Sequence, residues 1–211
     1  VELATMPNVR LMSRTTVIGA FDHGIYGAVE RVSDHVAVPD TGKPRQILWR
    51  IYTQRTLLCT GALDRPIAFE NNDRPGIMLA SAMRSYANRW AVTPDQQVAV
   101  FTNHDDGHRT ATDMLAKGVN VAAVIDTREN APRIADCELI AGAQVIDAQG
   151  RLGLKAIRLR TQDGRERVIR CGALGVSGGW NPNVHMTCHQ RGRPAWNERL
   201  AAFCPGADLP R

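Results

Sequence analysis

The sequence predicts an α/β fold, in which a parallel sheet with a crossover helix follows a set of short antiparallel strands. The clearest observation is the succession of a strand, a helix and a strand: QQVAVFT at 96–102, RTATDMLAKG at 109–118 and VNVAAVID at 119–126. A βαβ unit of this size implies parallel pairing with a right-handed crossover. In addition, residues 8–61 contain only short apolar runs separated by the turn signals FDHG and PDTGKP, a pattern typical of hairpins.

Periodicity and turn residues predict the other elements in order. The strands of the first region are NVRLMSRTTVIGAF, GAVERV, QILWRIYT and RTLLCTG. PGIMLASAMRSYANRW at 75–90 predicts a helix, because its apolar residues recur near helical spacing after Pro75. AQVIDAQG, LKAIRLRTQDG and RERVIRCGALGVSGG predict strands, with QDGR as a hairpin turn. GRPAWNERLAAFCPG at 192–206 predicts a short helix after Pro194.

Composition narrows the classes of partner. With 211 residues, of which 44% are hydrophobic, the chain fits one large domain or two small ones. Its net charge of +5 is dispersed and aromatic residues make up only 5%, so we expect no nucleic-acid partner. No apolar run approaches the roughly 20 residues that span a bilayer, and we expect no membrane partner.

Cysteine usage indicates a compartment. Five cysteines without CxxC spacing favour a reducing, cytoplasmic location. Cys59, inside RTLLCTG, is expected to be a small core residue. The chain begins VELATMPN without an initiator Met, and we interpret it as a fragment of a larger polypeptide.

The stretch AVFTNHDDGHRTA at 99–111 stands where a dinucleotide-binding fold has its glycine-rich turn. Thr102 and His104 occupy the first two glycine positions, and Gly107 alone matches the third, which serves helix–strand packing. The His104 ring and the carboxylates of Asp105 and Asp106 oppose a pyrophosphate sterically and electrostatically. We therefore predict a turn that keeps the fold, satisfies the helix start with its own carboxylates and has lost its ligand.

At the end of the βαβ unit, Asp126 and Arg128 resemble ribose- and phosphate-binding groups. Asp126 ends the second strand, where a ribose-binding acid usually lies, and Arg128 could bind a 2′-phosphate. Because the glycines are missing, we interpret both as surface residues at a strand end.

Metal and nucleophile patterns are incomplete. His104 and His108 lie four residues apart, and HMTCH at 185–189 adds a second histidine-rich stretch. The first lacks the HExxH arrangement and the second lacks another ligand pair, so we predict no metal site. No GxSxG motif occurs, and Ser177 is interpreted as a hydroxyl in a strand-end turn. We nominate no catalytic residue.

Two strand ends resemble each other. LLCTGALDRP at 57–66 and ALGVSGGWNPN at 173–183 each join an apolar strand to a small hydroxyl residue, glycine, and then Arg-Pro or Asn-Pro. Small residues at the carboxyl end of a strand leave room for a ligand across the sheet. Structural turns explain the pair nearly as well, and the residues alone leave both interpretations open.

The pair resembles the crossover segments of flavoprotein oxidoreductases with two dinucleotide-binding domains, in which the chain leaves the first domain at one TG strand and returns near the other. RTTVIGAFDHGIYGAVERV, LLCTGALDRPIAFENNDRPGIMLASA and SGGWNPNVH together resemble the alpha subunits of heterotetrameric sarcosine oxidases, over nearly all 211 residues. FENNDRPGIMLASA is the most specific part of the resemblance, because related opine and cyanide-forming dehydrogenase subunits usually lack the NNDRPG motif.

The resemblance implies an FAD/NAD(P)-binding Rossmann-like fold in three segments. Residues 1–70 would be a partial first, NAD-type nucleotide domain with antiparallel hairpin strands. Residues 71–175 would be an inserted second Rossmann-like βαβ domain with a degenerate glycine turn, and 176–211 the return to the first domain. Neither the first GxGxxG turn nor the folate-type domain of that family is present in this sequence.

The resemblance also implies cofactors and partners. In that family the alpha subunit holds a noncovalent NAD in its first nucleotide domain, and the beta subunit carries FAD and a covalent FMN. Together with gamma and delta subunits, the assembly oxidises N-methylglycine to glycine with peroxide formation, and passes the one-carbon unit to folate. Two alternatives are a subunit of another amine or opine oxidoreductase, and a non-catalytic interaction domain on a nucleotide-binding fold.

The residues carried over from the family are binding candidates and not catalysts. Two would lie on the adenine side, two at a strand end facing the pyrophosphate, and five on the return segment. They are Thr16 and Val17; Thr60 and Gly61; and Ser177, Gly178, Gly179, Trp180 and Asn181. Because the phosphate-cradling turn is missing, we expect this chain alone to bind NAD weakly or not at all. We also expect an exposed apolar surface where missing strands and partner subunits would pack.

Overall fold

The computed structural model describes residues 2–133 and 137–207. The chain divides into two compact units: unit 1 is Val1–Gly61 with Pro182–Arg211, and unit 2 is Ala62–Asn181. The chain thus leaves unit 1 after residue 61 and re-enters it after residue 181, whereas the sequence places the crossings at 70 and 175. The assignment of one part as NAD-type stays a prediction.

Unit 1 begins with an antiparallel meander. After a 3-10 turn at Glu2–Thr5, strands β1 (Thr15–Phe21), β2 (Ile25–Arg31) and β3 (Gln46–Tyr52) pair in that order. These strands confirm three of the four predicted for this region.

The fourth predicted strand, RTLLCTG at 55–61, is wrong. The segment has no regular secondary structure. Leu57 is 88% exposed and Cys59 is exposed rather than in the core. An apolar run makes a strand only where a neighbouring edge accepts its backbone hydrogen bonds, and among the described residues none pairs with this segment.

Unit 2 alternates strands and helices. Its elements in chain order are β4 (Ala62–Asp64), β5 (Ile77–Leu79), α1 (Ala80–Trp90), β6 (Gln97–Thr102), α2 (Asp105–Ala116), β7 (Asn120–Asp126), β8 (Leu139–Ala141), β9 (Ala143–Gln149), β10 (Ala156–Thr161), β11 (Glu166–Arg170), β12 (Ala173–Ser177) and β13 (Trp180–Pro182). The parallel sheet has the order β5-β12-β6-β7-β8, and β9, β10 and β11 form an antiparallel sheet. The predicted parallel βαβ unit is confirmed as β6-α2-β7.

The helix predicted over 75–90 is only partly right. Ile77–Leu79 form β5, which pairs with β12, and the helix begins at Ala80. A short apolar run fits a buried strand as well as a helix turn. Here the run forms a strand, because the edge of β12 pairs with its backbone.

Unit 2 has three layers, set by the two-residue period of its central strands. Val98 and Val100 on β6 pack in a cluster with Met83 of α1 and Met114 of α2. Ala99 and Phe101, along with residues of the β9–β11 sheet, form a second cluster. Because successive strand residues point to opposite faces, β6 supplies both cores, which fixes the position of the turn at its carboxyl end.

The return segment of unit 1 contains α3 (His185–Cys188), β14 (Pro194–Asn197) and β15 (Ala202–Pro205). β14 and β15 form an antiparallel hairpin in which Trp196 faces Phe203 edge to face, with ring centroids 5.2 Å apart. The predicted tail helix is therefore wrong, because cross-strand aromatic packing outweighs the helical spacing of its apolar residues.

Unit 1 has a small core and an apolar exposed face. Its buried cluster is Ala20, Tyr26 and Met186. The other face of the meander carries Ile18, Phe21, Leu48 and Tyr52, which are 54%, 54%, 66% and 71% exposed. Within residues 2–133 and 137–207, no helix has the length and apolar character needed to span a bilayer.

Candidate nucleotide site

In unit 2, the turn after β6 is closed by its own side chains. A Cβ on Gly107 would lie 2.4 Å from both Cβ and Oγ1 of Thr102, so α2 rests directly on the end of β6. This confirms the packing role predicted for Gly107. The fully buried Thr102 hydroxyl donates to the carbonyl of His104 (2.9 Å) and accepts from the His104 N–H (3.2 Å). The side chain at the first glycine position therefore fills the turn.

The imidazole of His104 caps α2. Its Nδ1 accepts a hydrogen bond from the backbone N–H of Asp106 (3.3 Å), which leaves the proton of the neutral ring on Nε2. Burial lowers the pKa of His104 below its usual value and outweighs the opposing effect of Asp64. The prediction that carboxylates satisfy this helix start is wrong, because the ring provides the cap and Asp106 instead pairs with Arg84 (3.2 Å).

Ser177 lies between His104 and a buried carboxylate. His104 Nε2 is 3.0 Å from Ser177 Oγ, and that hydroxyl donates to Oδ1 of Asp64 (3.0 Å). Asp64 Oδ2 also accepts the N–H of Ser81 in the first turn of α1 (3.2 Å). In a catalytic triad the histidine accepts the serine proton, whereas here His104 donates to the serine. The arrangement stabilises the fold and does not activate a nucleophile.

Asp64 is a residue that the sequence reasoning missed. The available signal was an acid immediately after a strand in ALDRP, two residues before a proline. Its 7% exposure requires both oxygens to find donors, and Ser177 and Ser81 supply them.

Asp126 and Arg128 belong to one ionic network, and the interpretation of Asp126 as a surface residue is wrong, whereas the side chain of Arg128 is 37% exposed. Asp126 is fully buried; its Oδ2 lies 2.6 Å from Nε2 of His108 and 2.9 Å from Nη2 of Arg128. Burial alone raises the pKa of Asp126, but the hydrogen bonds from Arg128 and His108 outweigh it and hold the pKa below its usual range. Arg128 also pairs with Asp105 (2.8 Å). Both groups that resembled ligand contacts are thus satisfied internally.

The histidine-rich stretches have structural partners. His189 Nδ1 accepts from the N–H of Ala20 (3.4 Å), and the thiol of Cys188 donates to the carbonyl of Val184 (3.4 Å). In the described parts of the chain, no group of three His, Cys, Asp or Glu side chains is placed to hold a metal ion.

In unit 1, the structure brings three of the predicted binding residues together. Thr16, Val17 and Thr60 line one cavity of about 580 Å³, with Met186 on its wall. Thr60 is held by a reciprocal pair of hydrogen bonds with Asn183, both 2.8 Å. The cavity lies within the range typical of small-molecule sites.

Gly61 follows directly and has an open surface. Its φ is +70°, and a Cβ placed there would meet no atom within 4 Å. The glycine is therefore needed for its left-handed conformation and not for a close approach of the described chain.

A second cavity, of about 700 Å³, adjoins the first in unit 1. Five residues line both cavities, so the two cavities are lobes of one cleft. The shared residues are Tyr26, Thr53, Thr56, Leu58 and Met186. We call this cleft the unit 1 cleft.

The five candidates at 177–181 line neither lobe. Gly178 N–H donates to the carbonyl of Arg65 (2.7 Å), and Arg65 N–H donates to that of Gly179 (2.8 Å). A Cβ on Gly179 would lie 2.6 Å from the Arg65 guanidinium. Trp180 and Asn181 are exposed on β13, which pairs with β4. The two similar strand ends therefore do meet, through backbone pairing, and a role of 177–181 in nucleotide binding stays a prediction.

Comparison with known proteins supports the resemblance. No protein-family profile matches the chain. Sarcosine oxidase subunit alpha of Rhizobium meliloti (strain 1021) is 42% identical over 209 residues, which cover 98% of this chain and 21% of the relative. That of Corynebacterium sp. (strain P-1) is 36% identical over 220 aligned positions, covering 98% and 23%. The chain is thus related in sequence to about a fifth of each subunit, and the predicted resemblance is confirmed.

Solved structures confirm the predicted FAD/NAD(P)-binding Rossmann-like fold. L-proline dehydrogenase from P. horikoshii matches with a TM-score of 0.61 at 21% identity, over 92% of this chain and 32% of that one. Thioredoxin reductase of T. acidophilum also gives 0.61, at 11% identity over 93% and 66%. A NAD-dependent persulfide reductase from A. fulgidus gives 0.60, at 14% identity over 92% and 36%. At these identities the likeness concerns the fold alone.

Proposed function

Because the chain is related in sequence to the alpha subunits of sarcosine oxidase, we propose that it is part of the NAD-binding alpha subunit of a multi-subunit sarcosine oxidase. The whole enzyme would demethylate N-methylglycine oxidatively to glycine, with FAD and FMN on or shared with a beta subunit and with gamma and delta subunits completing the assembly. The cysteine usage favours a cytoplasmic location. This chain would supply nucleotide-domain scaffold and no catalytic residue.

The observation that carries the proposal is the 42% identity over 209 residues, and the unit 1 cleft suits the implied cofactor. The cleft combines an apolar wall at Met186 with the hydroxyl of Thr16, a combination suited to the adenosine part of NAD. The hydroxyl of Thr60 lines the same lobe and would lie on the side of the pyrophosphate. The turn at Thr102 and His104 in unit 2 is filled and does not fit a pyrophosphate. Bound NAD would supply a hydride-accepting nicotinamide, and the residues named here would only hold it.

The test uses the assembly purified with its partner subunits. We expect N-methylglycine to be consumed with formation of peroxide, and NAD to be released on denaturation and identified by chromatography and mass spectrometry. Absence of NAD would contradict the cofactor assignment. Turnover of another amine, but not of N-methylglycine, would contradict the substrate and indicate a different amine or opine oxidoreductase.

A matched pair of variants places the site. Val17 lines the cleft, and Ile18, the next residue on β1, lies on the opposite face of the meander with similar exposure. Val17→Trp should fill the lobe and lower the NAD content at least about tenfold, equivalent to about 1.4 kcal/mol of binding free energy. Ile18→Trp should leave the NAD content unchanged. Equal NAD content in both variants would contradict a site in this lobe.

The 211-residue chain alone should behave differently from the assembly. It contains no glycine-rich phosphate-binding turn, and such a turn is the main anchor for the charged part of a dinucleotide. Isothermal titration with NAD is therefore expected to show weak binding or none. Micromolar affinity would contradict this expectation.

A further inference from the structure

The larger lobe of the unit 1 cleft is electrostatically one-sided. Of the described residues that line it, two carry basic side chains, His23 and Arg55, and none is acidic. Gln54 and the hydroxyls of Thr53 and Thr56 add polar groups. A concave surface that combines basic and hydrogen-bonding side chains without a carboxylate favours an anionic ligand.

The fold holds the two basic residues on the same lobe. The turn between β1 and β2 places Gly24 so close to the segment after β3 that a Cβ there would lie 2.4 Å from the carbonyl oxygen of Thr53. Both the N–H and the hydroxyl of Thr53 donate to the carbonyl of Gly24, each at 2.9 Å. His23 has a φ of +62°, in the left-handed region that is uncommon outside glycine. The turn thus fixes His23 beside the segment that carries Arg55.

Arg55 has no ionic partner among the described residues, a property that it shares with the exposed Arg50 outside the lobe. The guanidinium groups of Arg45, Arg84 and Arg128 each pair with an aspartate at 2.8 to 3.2 Å. Within the described residues, Arg55 makes no hydrogen bond or ion pair, and the same holds for the side chain of His23. Arg55 therefore presents its donors to whatever enters the lobe.

Another part of the lining of the lobe is apolar. Tyr26 and Met186 are 8% and 7% exposed, so they form part of a packed surface, and Leu58 completes it. A ligand that suits both parts of the lining has an apolar or aromatic part next to an anionic part.

We propose that Arg55 is the phosphate-binding residue of the unit 1 cleft, where it recognises the phosphate groups of a nucleotide whose uncharged part lies against Tyr26 and Met186. The choice of a nucleotide, rather than another organic anion, rests on the proposed function. Guanidinium groups bind phosphate oxygens through paired, charge-assisted hydrogen bonds. Arg55 therefore gives phosphorylated ligands a higher affinity for the lobe than unphosphorylated ones.

The test titrates the 211-residue chain with ADP and with adenosine at millimolar concentration, by protein NMR. We expect ADP to bind at least about tenfold more tightly than adenosine, an advantage that decreases as salt is raised. Arg55→Gln should reduce the binding of ADP to the level of adenosine. Arg50→Gln, at an exposed arginine on β3 outside the lobe, is the matched control and should keep the advantage of ADP.

Each other outcome has a defined meaning. Equal affinity for ADP and adenosine in the native chain, or no binding of either, would overturn the phosphate site. An unchanged ADP advantage in Arg55→Gln, with a native circular dichroism spectrum, would overturn the role of Arg55. If the assembly contains no NAD but the ADP advantage and its loss in Arg55→Gln persist, the proposed function fails while the phosphate site stands.

Discussion

The imidazole Nε2 of His104 lies 3.0 Å from the hydroxyl of Ser177, so one side chain joins the ends of two neighbouring strands. Ser177 ends β12 and Thr102 ends β6, and these residues are paired in the sheet. His104 follows β6 and reaches across this edge, where a parallel sheet usually receives its ligand. The position that a dinucleotide-binding turn leaves empty for phosphate is here filled by the half-buried side chain of His104.

Replacing this ring should destabilise unit 2. His104→Ala removes the cap of α2 and leaves Ser177 without one of its partners, so we expect the free energy of unfolding to fall by about 1–2 kcal/mol. Urea denaturation followed by far-ultraviolet circular dichroism measures the change. His35→Ala, at an exposed histidine, should have almost no effect, and equal values for the two variants would contradict the structural role of His104.

The same ring should make stability depend on pH. Burial lowers the pKa of His104 in the folded state, whereas the unfolded value is about 6.5. The unfolded chain therefore binds more protons below about pH 6.5, and the free energy of unfolding falls as the pH falls through that value. Protonation would also remove the lone pair that accepts the Asp106 N–H. His104→Asn, which can still cap the helix, should lose stability less steeply between about pH 7 and pH 5; identical slopes would contradict the shift.

Breaking the network around Asp126 should cost more than breaking a surface pair. Asp126→Asn leaves the buried His108 and the guanidinium of Arg128 without their carboxylate, and removal of one partner of a buried pair typically costs about 3–5 kcal/mol. Asp163→Asn, which affects the exposed pair with Arg165, is the control and should change stability far less. The comparison is made by denaturant unfolding, and similar losses in the two variants would count against the network.

The pKa of Asp126 adds a second acid-sensitive group. Its folded value lies below its usual range, so the stabilisation is complete above the unfolded pKa of about 3.9 and is lost as the pH falls through the folded pKa. Acid unfolding of the native chain should therefore be steeper below about pH 4 than that of Asp126→Asn.

Sequence reasoning succeeded where one local pattern determined the structure. The alternation of Val98, Ala99, Val100 and Phe101 specifies a strand buried on both faces, and Gly107 could be assigned to packing because the third glycine of a turn serves that purpose. The resemblance carried by the crossover segments identified the fold and the related subunits.

Sequence reasoning failed where contacts between residues far apart in the sequence determine burial and secondary structure. Asp126 was read as exposed, because its partner His108 lies 18 positions earlier and reaches it only when α2 packs on the sheet. Asp64 depends on Ser177, 113 positions away. The strand predicted at RTLLCTG and the helix predicted after Pro194 failed for the same reason, because pairing partners and not local propensity decided these segments. The unit 1 cleft likewise arises from segments far apart in sequence.

The thiols should differ strongly in reactivity. Burial raises the pKa of Cys171 to about 12, and this side chain is 2% exposed, whereas Cys59 and Cys188 are exposed. Because the thiolate is the reactive form, iodoacetamide near neutral pH should label Cys59 and Cys188 first and leave Cys171 unmodified, as read by peptide mass spectrometry. Labelling in denaturant is the control, and early modification of Cys171 in the native chain would contradict its burial.

The exposed apolar face of the β1–β2–β3 meander should bind a hydrophobic dye. The ring of Phe21 covers two glycines of this face, because Cβ atoms on Gly19 and Gly27 would lie 2.8 and 3.3 Å from it. Leu48 and Tyr52 on β3 add further exposed apolar surface. Large exposed apolar patches typically mark interaction sites, and here the exposed Arg50 lies between Leu48 and Tyr52 on the same face of β3. The double variant Leu48→Gln and Tyr52→Gln should lower the fluorescence of an anilinonaphthalene dye severalfold. Leu152→Gln, at a 91% exposed leucine in unit 2, should not change it, because a single exposed leucine is not a patch. Equal fluorescence in native chain and double variant would show that the dye binds elsewhere, and the meander face would then have no support as an interaction surface.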